Sequence, residues 1–216
     1  MPGRGRWVCL DVGETLIDES RVWSTWADIA GVPRLTFMAV LGAAIASGGA
    51  HEDFFTRLGV GDWLAAAPIV ETDYGGFREE DLYPDARQAI GGLRALGYRV
   101  AVIGNQPASR GPELRALGIE PDVMAMSDEM GVSKPDPAFF ARALELMGSP
   151  DPGDVAYVGD RIDNDVQPSA AAGMRAVWIR RGPWAAIQGT ELPLDRPPEL
   201  TVADLDELVE RIGEAW

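Results

Sequence analysis

Apolar residues follow two alternating patterns along this chain. Short continuous apolar runs are typical of strands buried on both faces, and apolar positions three or four residues apart are typical of helices. Strands that alternate with helices predict parallel βαβ units, so we expect an α/β fold. The predicted strands are residues 7–12, 99–103, 123–126, 155–158 and 176–179, and the predicted helices among them are residues 85–96, 112–117 and 136–147.

Residues 18–81 interrupt this alternation. Their aromatic and aliphatic residues recur at helical spacing, and no run there is typical of a strand. We predict an all-α domain at 18–81, inserted into a core domain formed by residues 1–17 and 82–216. The alternative is one domain with additional helices in its core. The return to the strand-helix alternation at residue 84 favours the separate domain.

The charge balance limits the partners that we expect. The chain has 34 acidic and 19 basic residues among 216, a formal net charge of −15. Such a field repels polyanions, so neither nucleic acid nor an anionic membrane is an expected partner. Cys9 is the only cysteine, which excludes an intramolecular disulfide and fits a cytoplasmic location. The sequence gives no prediction of the oligomeric state.

Acidic residues follow two of the predicted strands. Asp11 ends the first strand, and the stretch 159–165, after a later strand, contains Asp160, Asp163 and Asp165. Polar residues at the carboxyl ends of parallel strands form the binding site of such sheets. Carboxylate oxygens suit Mg²⁺, which keeps waters that a substrate phosphate can replace. The alternative is an acidic loop that caps the next helix, which explains Asp163 better than Asp160.

Lys134 is the only lysine beside 18 arginines. It lies in a proline-rich turn, and its compact point charge differs from the planar fork of arginine. One interpretation is the chance survival of a surface lysine. The other is a requirement for a small cation next to an anionic group.

Four short motifs together resemble the haloacid dehalogenase-like (HAD) hydrolase superfamily. The resemblance spans nearly the whole chain, and the motifs occur in the family's order. It implies a Rossmann-like parallel sheet, with the helical insertion at 18–81 similar to a C1-type cap. The motifs are Asp11-Val12-Gly13-Glu14-Thr15-Leu16, Ile103-Gly104-Asn105, Ser133-Lys134-Pro135-Asp136-Pro137 and the stretch from Gly159 to Asp165.

The resemblance also implies roles for individual residues. Asp11 would attack phosphorus and form an aspartyl-phosphate, with Lys134 neutralising its charge and that of the transferred group. Mg²⁺ would be the cofactor, held by Asp11, the backbone carbonyl of Gly13, Asp160 and Asp165. The phosphate-binding residues would be Lys134 and, from the second motif, Gly104 and Asn105.

The chain departs from the family pattern at two positions. Gly13 stands where most phosphatases of the family carry a second aspartate that serves as general acid and base. Gly104 stands where a serine or threonine hydroxyl is usual. Glu14 is the obvious substitute acid, although neighbouring side chains at a strand end point to opposite faces.

The expected function is an Mg²⁺-dependent hydrolase that cleaves a small phosphorylated metabolite through Asp11. With Gly13 in place of the acid, we expect a preference for good leaving groups, such as acyl or aryl phosphates. One alternative is a non-catalytic phosphate-binding or regulatory protein. A less favoured alternative is a 2-haloacid dehalogenase, which needs neither a metal nor a leaving-group acid.

Overall fold

A computed structural model of the chain describes residues 5–48, 51–191 and 196–216. Six parallel strands form one sheet in the order β3-β2-β1-β4-β5-β6. With helices around it, this sheet confirms the predicted α/β, Rossmann-like fold. The strands are β1 (Trp7–Leu10), β2 (Arg99–Gly104), β3 (Val123–Met126), β4 (Val155–Gly159), β5 (Arg175–Ile179) and β6 (Leu200–Val202).

The α-helices connect these strands. The three predicted helices exist with slightly different ends, while β6 and the last helix lie in a segment for which we predicted no element. A π-helical turn, Ile162–Val166, follows β4. The α-helices are α1 (Ser20–Ile29), α2 (Arg34–Ala46), α3 (His51–Arg57), α4 (Trp63–Tyr74), α5 (Ala86–Ala95), α6 (Arg110–Ala116), α7 (Ser127–Met130), α8 (Pro137–Leu146), α9 (Gln167–Ala171), α10 (Gly182–Glu191) and α11 (Leu205–Arg211).

The sheet is buried on both faces, as expected for parallel strands. Strand β1 shows this directly, because alternate side chains along a strand point to opposite faces. Val8 and Leu10 belong to the hydrophobic cluster on one face. Trp7 and Cys9 belong to the cluster on the other face. All four side chains are buried, which explains why this strand reads as a continuous apolar run.

The order of the strands determines which loops meet. Strand β1 lies between β2 and β4, and Leu10 pairs with both Val102 and Val158. The chain therefore leaves β1, β2 and β4 at adjacent points on one edge of the sheet. On one side of β1 the sheet continues with β2 and β3, and on the other side with β4, β5 and β6. Open α/β sheets form their binding crevice at the point where the strand order reverses in this way.

The helices α1 to α4 form an insertion between β1 and β2. The two ends of the insertion lie side by side, because Asp18 N–H donates to the carbonyl of Asp81 and Ile17 forms an antiparallel bridge with Leu82. These pairs coincide with the predicted limits at 18 and 81. The division into two domains stays a prediction, and residues 1–4, 49–50 and 192–195 of the predicted ranges lie outside the described residues.

Aromatic residues of the insertion pack into a hydrophobic cluster together with Trp184. Trp23 is partly buried and packs against this cluster, with ring centroids 5.9 Å from Phe54 and 5.9 Å from Trp184. Trp184 belongs to α10, which follows β5, so the insertion packs against a helix of the sheet region. In the described part of the chain, no single helix is long and apolar enough to cross a membrane; α1 and α2 would pass that test only together, and they are bent by 112°.

Candidate active site

Asp11 follows β1 at the carboxyl edge of the sheet. Its backbone N–H donates to the carbonyl of Val158 in β4 at 2.9 Å, which extends the pairing of β1 by one residue. Its carboxylate is buried, and Oδ1 lies 2.7 Å from Nζ of Lys134. Burial raises the pKa of Asp11 to about 6, while the charge of Lys134 opposes this shift. The structure therefore places a buried carboxylate beside a cation.

Lys134 is held at both its backbone and its ammonium group. The side-chain amide of Asn105 accepts from the Lys134 N–H at 2.8 Å and donates to the Lys134 carbonyl at 2.9 Å. Nζ donates to Oδ1 of Asp165 at 2.6 Å. Burial acts to lower the pKa of Lys134, but Asp11 and Asp165 together raise it above its usual value. Lys134 is therefore a buried cation, and the side chain of Asn105 positions its loop.

The two remaining site carboxylates have different surroundings. Asp165 is fully paired, because Oδ1 accepts from Lys134 and Oδ2 accepts from the backbone N–H of Arg161. The side chain of Asp165 packs closely against Gly159. A Cβ on Gly159 would lie 2.6 Å from the Cβ of Asp165. Oδ2 of Asp160, in contrast, is buried and accepts no hydrogen bond among the described residues.

These carboxylates fit a divalent cation. Oxygens of Asp11, Asp160 and Asp165 all lie within 4.8 Å of one another. Burial, and then the charges of Asp165 and Asp11, raise the pKa of Asp160 well above its usual value. A buried carboxylate oxygen without a partner is costly, and a bound cation would compensate it. The oxygen ligands and the unpaired atom of Asp160 suit Mg²⁺.

A cavity of about 100 Å³ opens at this edge of the sheet. Five of the predicted site residues line this cavity. The other two lie behind its wall, Gly104 against Asp11 and Asp165 against Lys134. Trp184, Glu14 and Glu19 also contribute to the wall. The predicted residues that line it are Asp11, Gly13, Asn105, Lys134 and Asp160.

Gly104 leaves room for the carboxylate of Asp11. A Cβ on Gly104 would lie 2.5 Å from Oδ1 of Asp11 and 3.1 Å from Cγ2 of Val12. Real Cβ atoms essentially never approach a heavy atom within 3.0 Å. A side chain at residue 104 would therefore displace the carboxylate of Asp11 from its position beside Lys134.

Glu14 has a buried carboxylate that is already paired. Oε2 accepts from the hydroxyl of Tyr83 at 2.7 Å, and Oε1 accepts from the backbone N–H of Glu19 at 3.1 Å. Its φ of 49° is left-handed, and its carboxylate lies against Gly182. Burial raises the pKa of Glu14, and the hydrogen bond from Tyr83 opposes that shift.

Glu19 is the site residue that the sequence did not reveal. Its carboxylate lies against Gly13, and a Cβ on Gly13 would be 2.8 Å from Cδ of Glu19. Burial raises the pKa of Glu19 to about 7, with the charges of Glu14 and Asp11 adding to the shift. The available signal was an acid six residues after Gly13, next to a helix start, where an acidic residue is ordinary.

A second cavity of about 310 Å³ adjoins the first and shares Glu19, Asn105 and Gln106 with it. Its wall contains Arg110, which is buried and whose Nε donates no hydrogen bond among the described residues. The rest of the wall is largely apolar and aromatic and comes mostly from the helical insertion. The residues from that insertion include Val22, Trp23, Trp26, Val70 and Tyr74.

Comparison with known proteins assigns the chain to a family. The model of the haloacid dehalogenase-like hydrolases matches residues 6–173, which is more than half of the chain. The chain belongs to this family. Its members are hydrolases, and the two similar curated proteins described next are both named as phosphatases.

Curated relatives of this HAD-like hydrolase include two phosphatases. A glyceraldehyde 3-phosphate phosphatase from Methanopyrus kandleri is 33% identical over 63% of this chain and 62% of its own length. A phosphoserine phosphatase from Thermus thermophilus is 33% identical over 66% of this chain and 56% of its own length. The chain therefore matches less than two thirds of the length of either protein.

A solved structure supports the fold over a larger part of the chain. The putative HAD-hydrolase YfnB from Bacillus subtilis, solved bound to magnesium, has a TM-score of 0.68. The similarity covers 96% of this HAD-like hydrolase and 98% of the other chain. At 17% sequence identity, this similarity concerns the fold alone.

Proposed function

We propose that this HAD-like hydrolase is an Mg²⁺-dependent phosphatase of a small phosphorylated metabolite, with Asp11 as the nucleophile. The observation that carries this proposal is the position of Lys134, whose ammonium group lies 2.7 Å from Asp11 and 2.6 Å from Asp165. A carboxylate and a phosphate repel each other, so a buried cation beside the carboxylate is what such an attack requires.

Asp11 attacks phosphorus in this proposal and becomes an aspartyl-phosphate, which water then hydrolyses. Lys134 neutralises part of the negative charge on Asp11 and on the transferred group. Asp165 and Asn105 hold Lys134 in place through the hydrogen bonds to its ammonium group and its backbone. Asn105 therefore acts through Lys134, while the backbone beside Gly104 remains the candidate contact to phosphate.

The metal would be held by Asp11, Asp160 and the backbone carbonyl of Gly13. Bound there, Mg²⁺ would supply charge compensation for the carboxylates and the phosphoryl oxygens. Asp165 has both oxygens occupied by hydrogen bonds, which favours a role for it as the partner of Lys134 and as a contact to metal-bound water. The unpaired Oδ2 of Asp160 supports this assignment.

The helical insertion would act as a cap that binds the rest of the substrate. Together the two cavities have about 410 Å³, from 100 and 310 Å³, which is within the usual range for a small-molecule site. The smaller cavity would take the phosphoryl group beside Asp11. The larger, aromatic cavity would take an apolar part of the leaving group.

The phosphatase names of the relatives support the reaction type, but neither relative identifies the substrate of this chain. The test is phosphate release from a panel of phosphorylated metabolites, with and without Mg²⁺. The panel includes glyceraldehyde 3-phosphate and phosphoserine, and also aryl phosphates that match the larger cavity. We expect Mg²⁺-dependent release by the wild type and none by Asp11→Asn.

Other outcomes of the panel would replace the proposal. Binding of inorganic phosphate with no release from any ester, with or without Mg²⁺, would indicate a phosphate-binding protein. Metal-independent halide release from 2-haloacids would indicate a dehalogenase. Release at the wild-type rate by Asp11→Asn would remove Asp11 as the nucleophile.

A further inference from the structure

The carboxylate of Glu19 occupies the space that a side chain on residue 13 would enter. A Cβ on Gly13 would be 2.8 Å from Cδ of Glu19, and Oε1 of Glu19 is closer still. A side chain on residue 13 would therefore displace the carboxylate of Glu19 from this position. The chain lacks a carboxylate at residue 13 and has instead a carboxylate from residue 19 in the adjoining space.

Glu19 is held in this position from three directions. Its Oε1 accepts from the side-chain amide of Gln106 at 3.3 Å, and its Oε2 accepts from the indole N–H of Trp23 at 3.3 Å. Its backbone N–H donates to Oε1 of Glu14 at 3.1 Å. These partners follow β2, lie in α1 and follow β1, respectively. The carboxylate is therefore fixed on the wall of the cavity that contains Asp11.

Glu14 is the other acid near Gly13, and it lines the smaller cavity but not the larger one. Both of its carboxylate oxygens accept hydrogen bonds, one from Tyr83 and one from the backbone of Glu19. Its stem packs closely against Gly182, where an added Cβ would lie 2.6 Å from Cγ of Glu14. Glu14 is a positioning residue for the turn that carries Glu19.

Glu19 also lies where the two cavities meet. It lines the small cavity with Asp11 and Lys134, and it lines the larger aromatic cavity with Trp26 and Arg110. If the phosphoryl group lies beside Asp11 and the rest of the substrate in the larger cavity, the bond that breaks lies between them. The carboxylate of Glu19 is at that boundary.

We propose that Glu19 is the general acid and base of this enzyme, in the role that an aspartate at residue 13 would otherwise have. The inference depends on the proposed phosphatase function and rests on the position of the carboxylate. It replaces the sequence-based expectation of a preference for good leaving groups.

The reaction balances with Glu19 in this role. In the first half, an oxygen of Asp11 bonds to phosphorus, the bond from phosphorus to the ester oxygen breaks, and that oxygen receives the proton of Glu19. In the second half, Glu19 takes a proton from water while the water oxygen bonds to phosphorus. The bond between Asp11 and phosphorus then breaks, phosphate leaves, and Glu19 is protonated again for the next cycle.

The experiment compares kcat/KM for phosphate esters of graded leaving-group pKa, from p-nitrophenyl to phenyl to alkyl phosphates. We expect a shallow dependence for the wild type and a steep one for Glu19→Gln. The expected loss for Glu19→Gln is about 10²–10⁴-fold on alkyl esters, and much less on p-nitrophenyl phosphate, whose leaving group needs no proton.

The control is Asp18→Asn, which changes the acid next to Glu19 in the sequence. Asp18 accepts a hydrogen bond from the N–H of Ser20 at the start of α1. It should keep the shallow dependence of the wild type. Thermal melting of each variant separates a loss of folding from a loss of chemistry.

Gly13→Asp alone should lower activity because its side chain collides with Glu19. Combined with Glu19→Ala, it should restore activity on alkyl esters.

Three results would overturn this role. Equal losses by Glu19→Gln on every ester, or no loss at all, would reject Glu19 as the acid while leaving Asp11 as the nucleophile. A wild type without Asp11-dependent phosphate release from any ester would reject the phosphatase function and this role together.

Discussion

Nζ of Lys134 lies 2.7 Å from Oδ1 of Asp11 in the buried end of the site. The same ammonium group donates to Asp165, so one cation stands between two carboxylates. Burying two like charges without a counterion is strongly unfavourable. The single lysine of the chain is therefore placed where a compact charge is required.

Lys134→Met keeps the length of the stem and removes the charge. We expect kcat to fall by about 10²–10³-fold, because one stabilising group is lost at the transferred charge. Lys134→Arg should not restore kcat, since a planar fork does not fit between the two carboxylates. The matched control is Arg142→Met, which removes an exposed cation from α8. Steady-state phosphate release measures both, and a kcat near that of the wild type in Lys134→Met would contradict this role.

Asp160→Asn should remove metal binding without unfolding the protein. Mg²⁺ at 100 times its dissociation constant is expected to raise the Tm of the wild type by about 5–10 °C. Asp160→Asn should lose this increase. Asp163→Asn, in the same loop but paired with Arg161, should keep it. Thermal melting with and without Mg²⁺ gives the answer, and an undiminished shift in Asp160→Asn would place the metal elsewhere.

Gly104→Ser would introduce the hydroxyl residue that is usual in the family, and we expect it to damage this enzyme. The new Cβ would lie 2.5 Å from Oδ1 of Asp11, so the carboxylate or the strand end has to move. Such overpacking typically costs about 1–3 kcal/mol of stability. A loss of kcat should accompany it.

The control for this substitution is Gly91→Ser, at an exposed helix position where no heavy atom lies within 4 Å of the added Cβ. It should leave kcat unchanged. Higher activity in Gly104→Ser than in the wild type would mean that the missing hydroxyl limits catalysis, and that Asp11 tolerates the shift.

Val22→Phe should narrow the larger cavity, because Val22 of α1 lines it. We expect KM to rise for aryl phosphates and to change little for small substrates such as acetyl phosphate, since the phosphoryl position is untouched. Ile69→Phe, on an exposed surface of α4, is the matched control and should leave both values unchanged. Equal KM changes for large and small substrates would argue against this cavity as the leaving-group site.

The sequence predicted the residues whose position follows from the strands alone. Asp11 and Asp160 each follow a buried strand, and parallel strands expose their carboxyl ends at one edge, so their proximity was foreseeable. Lys134 was predictable because it is the only lysine of the chain and lies in one of the four motifs. Strand β6 has three residues and α11 seven, which is too short for periodicity to indicate them reliably.

The sequence did not predict contacts that depend on side-chain placement in three dimensions. The carboxylate of Glu19 lies beside Gly13 after a turn in which Glu14 has a left-handed φ and accepts from the backbone N–H of Glu19. Trp184 joins the aromatic cluster of the insertion and contacts Trp23, although most of the chain separates the two residues in sequence. Neither relationship has a local sequence pattern.

The most direct test of the account is whether Asp11 itself receives the phosphoryl group. The wild type is mixed with Mg²⁺ and a substrate found by the panel, quenched in acid within a turnover, digested and analysed by mass spectrometry. We predict one phosphoryl group on the peptide that contains Asp11, on Asp11 itself, and none in Asp11→Asn. Phosphate release without any label on Asp11, together with undiminished turnover by Asp11→Asn, would contradict the account.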